Sequence, residues 1–220
     1  MDLFLAHRFD SSRVFPYDAK YMKVILASQS PYRKQQLEHL GLKFKAEKPL
    51  VDEEKLKHEF AESYPAQLAG KLARAKAESL KEKYPDALII GADQLVQHKG
   101  EVLGKTENFD NAFRQLKNLQ GDTHELLTAI CCLYQGKVFE KIISARLKMR
   151  RLDDAMIKSY LELDEPYDCA GSYKVEKAGS QLFDFIACPD FTAIQGLPLM
   201  ALSESFLYFG LPLPCQVGAE

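Results

Sequence analysis

The stretch LASQSPYRK, residues 26–34, follows a short apolar run and opens a helical pattern that stops before Gly41. This order predicts a strand at 23–27, a tight turn and a helix at 31–40. Ser30 is a preferred N-cap, and Pro31 suits the first helical position because its missing N–H would have no intrahelical partner. Free N–H groups at a helix start, beside serine hydroxyls and cations, suit an anion such as phosphate. The spacing alone is equally compatible with an ordinary capped helix that carries solvated charges.

The rest of the chain alternates helical and strand patterns, which predicts an α/β fold with a mixed, twisted sheet and flanking helices. The expected helices are 64–83, 108–119, 153 or 154 to 163, and 198–208. The expected strands are 43–46, 87–92, 124–134, 137–149 and 182–187, with a hairpin that turns at 99–100. Asp93 is expected to end the most apolar strand, which is where open α/β folds place their ligands.

The composition of the chain argues against several classes of protein. A net charge of −2 argues against a general nucleic-acid-binding surface, and no apolar stretch approaches the roughly 20 residues of a membrane span. The five cysteines form no Cys-x-x-Cys pair and lie at no zinc-like spacing from histidine, which fits reduced thiols in a cytoplasmic protein.

Residues 22–211 are expected to form one domain. Residues 1–21 are expected to be a loosely ordered extension or the product of an upstream start codon, and 212–220 a frayed tail.

Lys76 interrupts an apolar stripe that Leu68, Leu72 and Leu80 define at four-residue spacing on one helix face. An unpaired ammonium is costly to bury, so this lysine must either extend outward to solvent or find an anionic partner. Residues 52–54, Asp-Glu-Glu, have the composition of a solvated acidic turn.

Separated blocks of the chain resemble, in order, the motifs of the Maf family of nucleoside triphosphate pyrophosphatases. The matching blocks are Ala27-Ser28-x-Ser30-Pro31-x-Arg33, Arg74-Ala75-Lys76-Ala77, Gly91-Ala92-Asp93-Gln94, Gly104-Lys105, Ala170-Gly171-x-Tyr173 and Gly196-Leu197-Pro198. The resemblance covers residues 22–211 and implies two lobes around a cleft, as in inosine triphosphatase-like folds. It also implies a homodimer.

The resemblance implies hydrolysis of a nucleoside triphosphate to a monophosphate and pyrophosphate. It assigns phosphate binding to Ser28, Ser30, Arg33, Lys76 and Lys105, with both lysines close to the chemistry. Glu53 resembles the family's functional Glu, and Asp93 the acid that binds metal or orients water. Two carboxylates suit one hard cation, Mg²⁺ or Mn²⁺, which also takes phosphate oxygens and waters.

Four residues depart from the common pattern in the way that resembles the 7-methyl-GTP subgroup of the family: Tyr32, Gln94, Lys174 and Glu176. A 7-methylated guanine ring is cationic, so an aromatic face and a carboxylate should favour it. These four are therefore predicted to contact substrate. Lys174 and Glu176 also fit a solvated pair on a strand face. The alternatives are the same chemistry on UTP, dTTP or another non-standard nucleotide, and a non-catalytic nucleotide-binding regulator of cell division.

Overall fold

The computed structural model describes residues 22–213, and the expectations for the extension 1–21 and for the tail beyond 213 lie outside them. The α-helices in this range are α1 Pro31–His39, α2 Glu53–Glu59, α3 Pro65–Glu78, α4 Phe109–Leu119, α5 Asp154–Asp164 and α6 Leu199–Tyr208. The strands are β1 Val24–Leu26, β2 Lys45–Ala46, β3 Leu88–His98, β4 Glu101–Leu103, β5 Thr123–Tyr134, β6 Lys137–Met149 and β7 Phe183–Ala187. Short 3₁₀ helices span Ala178–Leu182 and Phe191–Gln195.

The strands form one mixed sheet in the order β2-β1-β3-β5-β6-β7, with β4 paired to the far half of β3. The predicted mixed α/β fold is confirmed. β1 runs parallel to β3 and its ladder ends at Leu26 opposite Ile90, whereas the antiparallel β4 ladder begins at Val96. Between these two ladders, residues 91–95 of β3 pair with no described strand on that edge. The chain leaves β1 beside this opening and turns into α1.

Helix α3 packs directly on β3 at Gly91. A Cβ at this position would lie 2.2 Å from the carbonyl oxygen of Ala73 and 2.9 Å from the Cβ of Ala77. Only glycine therefore allows this approach of the helix. Asp93 lies two residues along the same strand face, and Lys76 precedes Ala77. The close contact thus brings the lysine of the apolar stripe next to the aspartate.

The core divides into three clusters of buried residues. Two cover opposite sides of β1 and the first half of β3, and their helical partners are α6 on one side and α3 on the other. The third lies between α4, α5, β7 and the far ends of β5 and β6. The long strands β3, β5 and β6 contribute residues to the first cluster and to the third, so the two lobes share one sheet. No helix in residues 22–213 has both the length and the apolar character to span a membrane.

Three predicted elements are wrong in their extent. The helix expected at 64–83 ends at Glu78, because the Ser79 hydroxyl donates to the Lys76 carbonyl and the next amide, of Leu80, bonds the Ala77 carbonyl in a tighter turn. Asp93 does not end its strand, since β3 continues through it to His98. Residues 52–54 are not an acidic turn: Asp52 accepts a hydrogen bond from the Lys55 amide and caps α2.

Candidate active site

The turn from β1 to α1 is fixed by its own side chains. The buried Ser28 hydroxyl accepts hydrogen bonds from the Ser30 amide at 3.1 Å and from Arg33 Nη1 at 3.3 Å. Ser30 is the N-cap of α1, as predicted, and its hydroxyl accepts from the Arg33 amide at 3.5 Å. Arg33 Nε donates to the Gly196 carbonyl at 2.8 Å. The guanidinium is thus held in place by Ser28, in the first of the resembling blocks, and by Gly196, in the last.

Lys76 does not extend to solvent, because it has found anionic partners inside the protein. Its side chain is 7% exposed, and its Nζ lies 2.7 Å from Asp93 Oδ1 and 3.0 Å from Glu53 Oε2. The two carboxylates come from α2 and β3, which are distant in sequence. The predicted meeting of Glu53 with Asp93 therefore occurs, and the cation between them in this structure is the ammonium of Lys76.

The charges of this cluster act on one another. Burial raises the pKa of Glu53, but the charges of Lys76, Lys57 and Arg33 outweigh it and hold the pKa below its ordinary value. Burial lowers the pKa of Arg33, and Asp93 and Glu53 oppose that effect. Glu53 is therefore ionised at neutral pH, and the guanidinium lies within electrostatic reach of both carboxylates.

The cluster has the oxygen donors that a hard cation uses. Asp93 Oδ2 is buried and has no hydrogen-bond partner, while Glu53 keeps 43% of its side chain exposed. Two carboxylates with room for phosphate oxygens and waters match the preference of Mg²⁺. Within residues 22–213, no group of three or more His, Cys, Asp or Glu side chains could hold a metal ion by protein ligands alone. The residues present therefore fit a cation that binds together with a phosphate ligand.

A second cluster surrounds Tyr32, one residue before the partly buried Arg33. Burial raises the pKa of Tyr32. The charges of Cys169, Asp168 and Glu176 raise it as well, whereas the charge of Lys174 opposes them. Lys174 and Glu176 are not a solvated pair on a strand, because no strand covers residues 173–177 and Lys174 is buried. Lys174 Nζ lies 3.1 Å from Asp168 Oδ1, a carboxylate that the sequence patterns did not single out.

Lys105 is exposed, and its segment is bonded to the loop that carries Lys174. Lys105 forms an isolated antiparallel bridge with Ala170, and the Glu107 amide donates to the Tyr167 carbonyl at 3.0 Å. The structure thus joins two of the resembling blocks in one unit, although no hydrogen bond or ion pair within residues 22–213 joins Lys105 to Asp93.

Buried hydroxyls reinforce this junction. The hydroxyls of Thr106 and Ser172 lie 3.1 Å apart, and Ser172 donates to Gln115 Oε1 at 2.8 Å. Ser172 is fully buried with a φ of 58°, in the left-handed region that disfavours residues with a Cβ. A strained backbone held by polar side chains commonly occurs at functional sites. Sequence patterns gave no sign of it, because a serine in a Gly-Ser turn looks ordinary.

The same loop is anchored to the sheet by an aromatic pair. Tyr173 is buried, and its hydroxyl lies 2.9 Å from His124 Nε2, on β5. Burial lowers the pKa of His124 to about 4, and the charge of His98 adds to this effect. The imidazole is therefore neutral at physiological pH, and its Nδ1 is buried without a hydrogen-bond partner.

Gln94 faces away from the cluster around Asp93. Neighbouring residues on a strand point to opposite faces of the sheet, so Gln94 leaves the side that Asp93 occupies. Its Nε2 donates to Thr128 Oγ1 at 2.9 Å and to the carbonyls of Ala193 and Ile194 at 2.8 and 3.2 Å. The contact of this amide with substrate stays a prediction, and its hydrogen bonds tie the sheet to the 3₁₀ helix that precedes Gly196.

Comparisons with known proteins agree with this arrangement. The chain matches the family model described as Maf-like protein over residues 23–207. It is 47% identical to a protein of Bdellovibrio bacteriovorus named 7-methyl-GTP pyrophosphatase, over 83% of this chain and 94% of the relative. Proteins of the same name from Aromatoleum aromaticum and Pseudomonas syringae pv. tomato are each 39% identical, over 89% and 87% of this chain and 100% and 98% of their own lengths. With a family match over most of its length, this chain belongs to the Maf family.

Proposed function

We propose that this chain is a nucleoside triphosphate pyrophosphatase that hydrolyses 7-methyl-GTP to 7-methyl-GMP and pyrophosphate. The observation that carries the proposal is the buried cluster of Arg33, Lys76, Glu53 and Asp93 beside the open edge of β3. Relatives that match nearly their full lengths bear the name of this activity. Several of the residues that gave the original resemblance meet in this cluster, which supports the same chemistry here.

The charges of the cluster favour a metal cofactor. Arg33 and Lys76 offset Glu53 and Asp93, so the four groups sum to zero formal charge before any ligand binds. A triphosphate carries several negative charges and needs additional positive charge at this site. Mg²⁺ or Mn²⁺ held by Glu53 and Asp93 would neutralise phosphate oxygens there. Lys105 is the further cation that we assign to the triphosphate.

The remaining residues then have defined tasks. Ser28, Ser30 and the amides at the start of α1 receive phosphate oxygens, and Arg33 binds them from its fixed position on Gly196. Lys76 holds Glu53 and Asp93 together. Water attacks the α-phosphorus in line with the leaving pyrophosphate, so the bond from the α-phosphorus to the bridging oxygen breaks. The water's proton passes to Asp93 or to solvent. Positioning and charge stabilisation supply most of the rate.

The base is assigned to the second cluster. Tyr32 offers an aromatic face, and Glu176 an exposed carboxylate, to the cationic ring of 7-methylguanine. Gln94 acts indirectly, by fixing the 3₁₀ helix behind Gly196.

Release of pyrophosphate tests the proposal. Purified protein with Mg²⁺ should give 7-methyl-GMP and pyrophosphate from 7-methyl-GTP, with a higher kcat/KM than for GTP, UTP or dTTP. After chelation of the divalent metal, the same reaction should release almost no pyrophosphate. Preference for UTP or dTTP would reject the substrate, and nucleotide binding without hydrolysis would reject the enzyme.

The cellular setting is part of the same proposal. Free thiols at Cys131, Cys132, Cys169 and Cys188 support a reducing compartment, the cytoplasm. A homodimer is supported by the apolar side chains that α6 leaves about half exposed, among them Met200, Leu207 and Tyr208. Light scattering of the purified protein would give a mass of two chains if the dimer forms. No nucleic-acid partner is assigned.

A further inference from the structure

We propose that Asp168 determines base specificity, because its ion pair with Lys174 leaves the base subsite with a net negative charge that selects a cationic ring. The proposal rests on the proposed function above and names a residue outside the resembling motifs. It treats Lys174 as a fixed counter-charge within the subsite and not as a phosphate ligand.

Lys174 is held on every side by the protein. Its side chain is 10% exposed, and its ammonium contacts Asp168 Oδ1 at 3.1 Å and donates to the Glu165 carbonyl at 3.5 Å. Its backbone amide donates to the Tyr160 hydroxyl at 2.9 Å, and its carbonyl accepts from the Gly179 amide at 3.1 Å. A lysine fixed in this way cannot extend to a triphosphate without leaving both its ion pair with Asp168 and its hydrogen bond to the Glu165 carbonyl.

The position of Gly179 makes this anchoring specific. A Cβ at residue 179 would lie 2.5 Å from the carbonyl oxygen of Lys174, so glycine is required for the loop to close on the lysine. The close approach of Gly179 therefore fixes the main chain of Lys174, from which the side chain starts. Such construction is expected where the location of a charge matters.

The charges of residues 168–176, which act on Tyr32, then sum to a definite sign. Asp168 and Glu176 each carry one negative charge, and Lys174 carries one positive charge, so the subsite has a net charge of −1. Burial raises the pKa of Asp168, but the hydrogen bond and charge of Lys174 lower it overall, which keeps this carboxylate ionised at neutral pH. Without Asp168, Lys174 and Glu176 would cancel, and a cationic ring would gain only its contact with the Tyr32 face.

The experiment is a double-mutant cycle on the ratio of kcat/KM for 7-methyl-GTP to that for GTP. Asp168→Asn makes the subsite neutral and should lower the ratio about fivefold, the size expected for a partly exposed charge. Lys174→Met makes it more negative and should raise the ratio. The double variant restores the net charge of −1 and should return near the wild-type ratio. A merely structural role would reduce both substrates together and leave the ratio unmoved.

A matched control is Asp154→Asn, which breaks the exposed ion pair with Lys117 at 2.5 Å and should leave the ratio unchanged. Asp168 is 63% exposed, so its variant should fold even where Lys174→Met does not. In that case, calorimetric binding of 7-methyl-GMP against GMP to Asp168→Asn replaces the cycle. An unchanged ratio in Asp168→Asn overturns this inference. Failure of the wild type to hydrolyse 7-methyl-GTP instead overturns the proposed function.

Discussion

Replacement of Lys76 by Met tests whether the ammonium is an essential part of the buried cluster. Met has a similar volume and lies on an otherwise apolar helix stripe, so the sequence alone predicts that stability stays level or rises. The structure predicts the opposite. Asp93 is 8% exposed and its Oδ2 already has no partner, so loss of Lys76 leaves a buried carboxylate without its counter-ion.

The magnitude follows from the loss of one partner of the pair. Breaking a buried ion pair by removing one partner typically costs about 3–5 kcal/mol. Glu53 keeps 43% of its side chain exposed, so water can approach the cluster from that side and reduce this cost. We therefore expect Lys76→Met to lower the free energy of unfolding by about 2–4 kcal/mol at pH 7.

Urea unfolding at pH 7 measures this loss, with Lys76→Met, Asp93→Asn and the double variant compared with the wild type. The double variant should lose less than the sum of the single losses, because it buries no unpaired charge. Arg74→Met on the same helix is the control. Its ion pairs with Glu78 and Glu140 are about half exposed, so it should lose no more than about 1 kcal/mol. If Lys76→Met is as stable as the wild type at pH 7, the reasoning is refuted.

Three further outcomes are expected. Asp93→Asn should reduce pyrophosphate release at least about 100-fold while the protein stays folded, and activity within threefold of the wild type would contradict its role. Thr106→Val should raise KM more than it lowers kcat, because it removes the hydroxyl contact with Ser172 and loosens the Lys105 segment. Thr106→Ser keeps a hydroxyl and should restore KM, so equal KM values for the two variants would contradict the hydroxyl's role. His124→Gln should flatten the dependence of the free energy of unfolding on pH. Because burial lowers the pKa of His124 to about 4, the wild type loses up to about 3 kcal/mol of this free energy as the pH falls from 6.5 toward 4. Parallel curves for the two proteins would reject this last prediction.

The parts of the site that could be predicted from sequence are those with local causes. Ser30 and Pro31 start a helix through their own chemistry, and the structure has the cap and the helix that they predict. Lys76 was informative because a cation inside an apolar stripe demands a partner. The family resemblance then pointed to Asp93 and Glu53, which do meet that lysine. Their catalytic roles stay predictions.

The parts that could not be predicted depend on contacts between distant segments. A polar residue after an apolar run usually ends a strand, but Asp93 continues β3 because Lys76 compensates its charge from another element. Helix α2 was missed because seven residues without a buried side chain show no helical periodicity. The Asp168–Lys174 pair was missed for the same kind of reason, since a loop has no period from which contacts can be inferred.

In the function that we propose, the two clusters divide the recognition of a nucleotide between a neutral and a negative region. Around Asp93 two cations balance two carboxylates, so a triphosphate is bound well only when additional positive charge accompanies it. Around Tyr32 two carboxylates outnumber one lysine, so phosphate is repelled there and a cationic base is attracted. A nucleotide that is negative at one end and positive at the other therefore has one favourable orientation. This polarity follows from fixed ion pairs, and it predicts that selection of 7-methyl-GTP over GTP weakens as salt concentration rises.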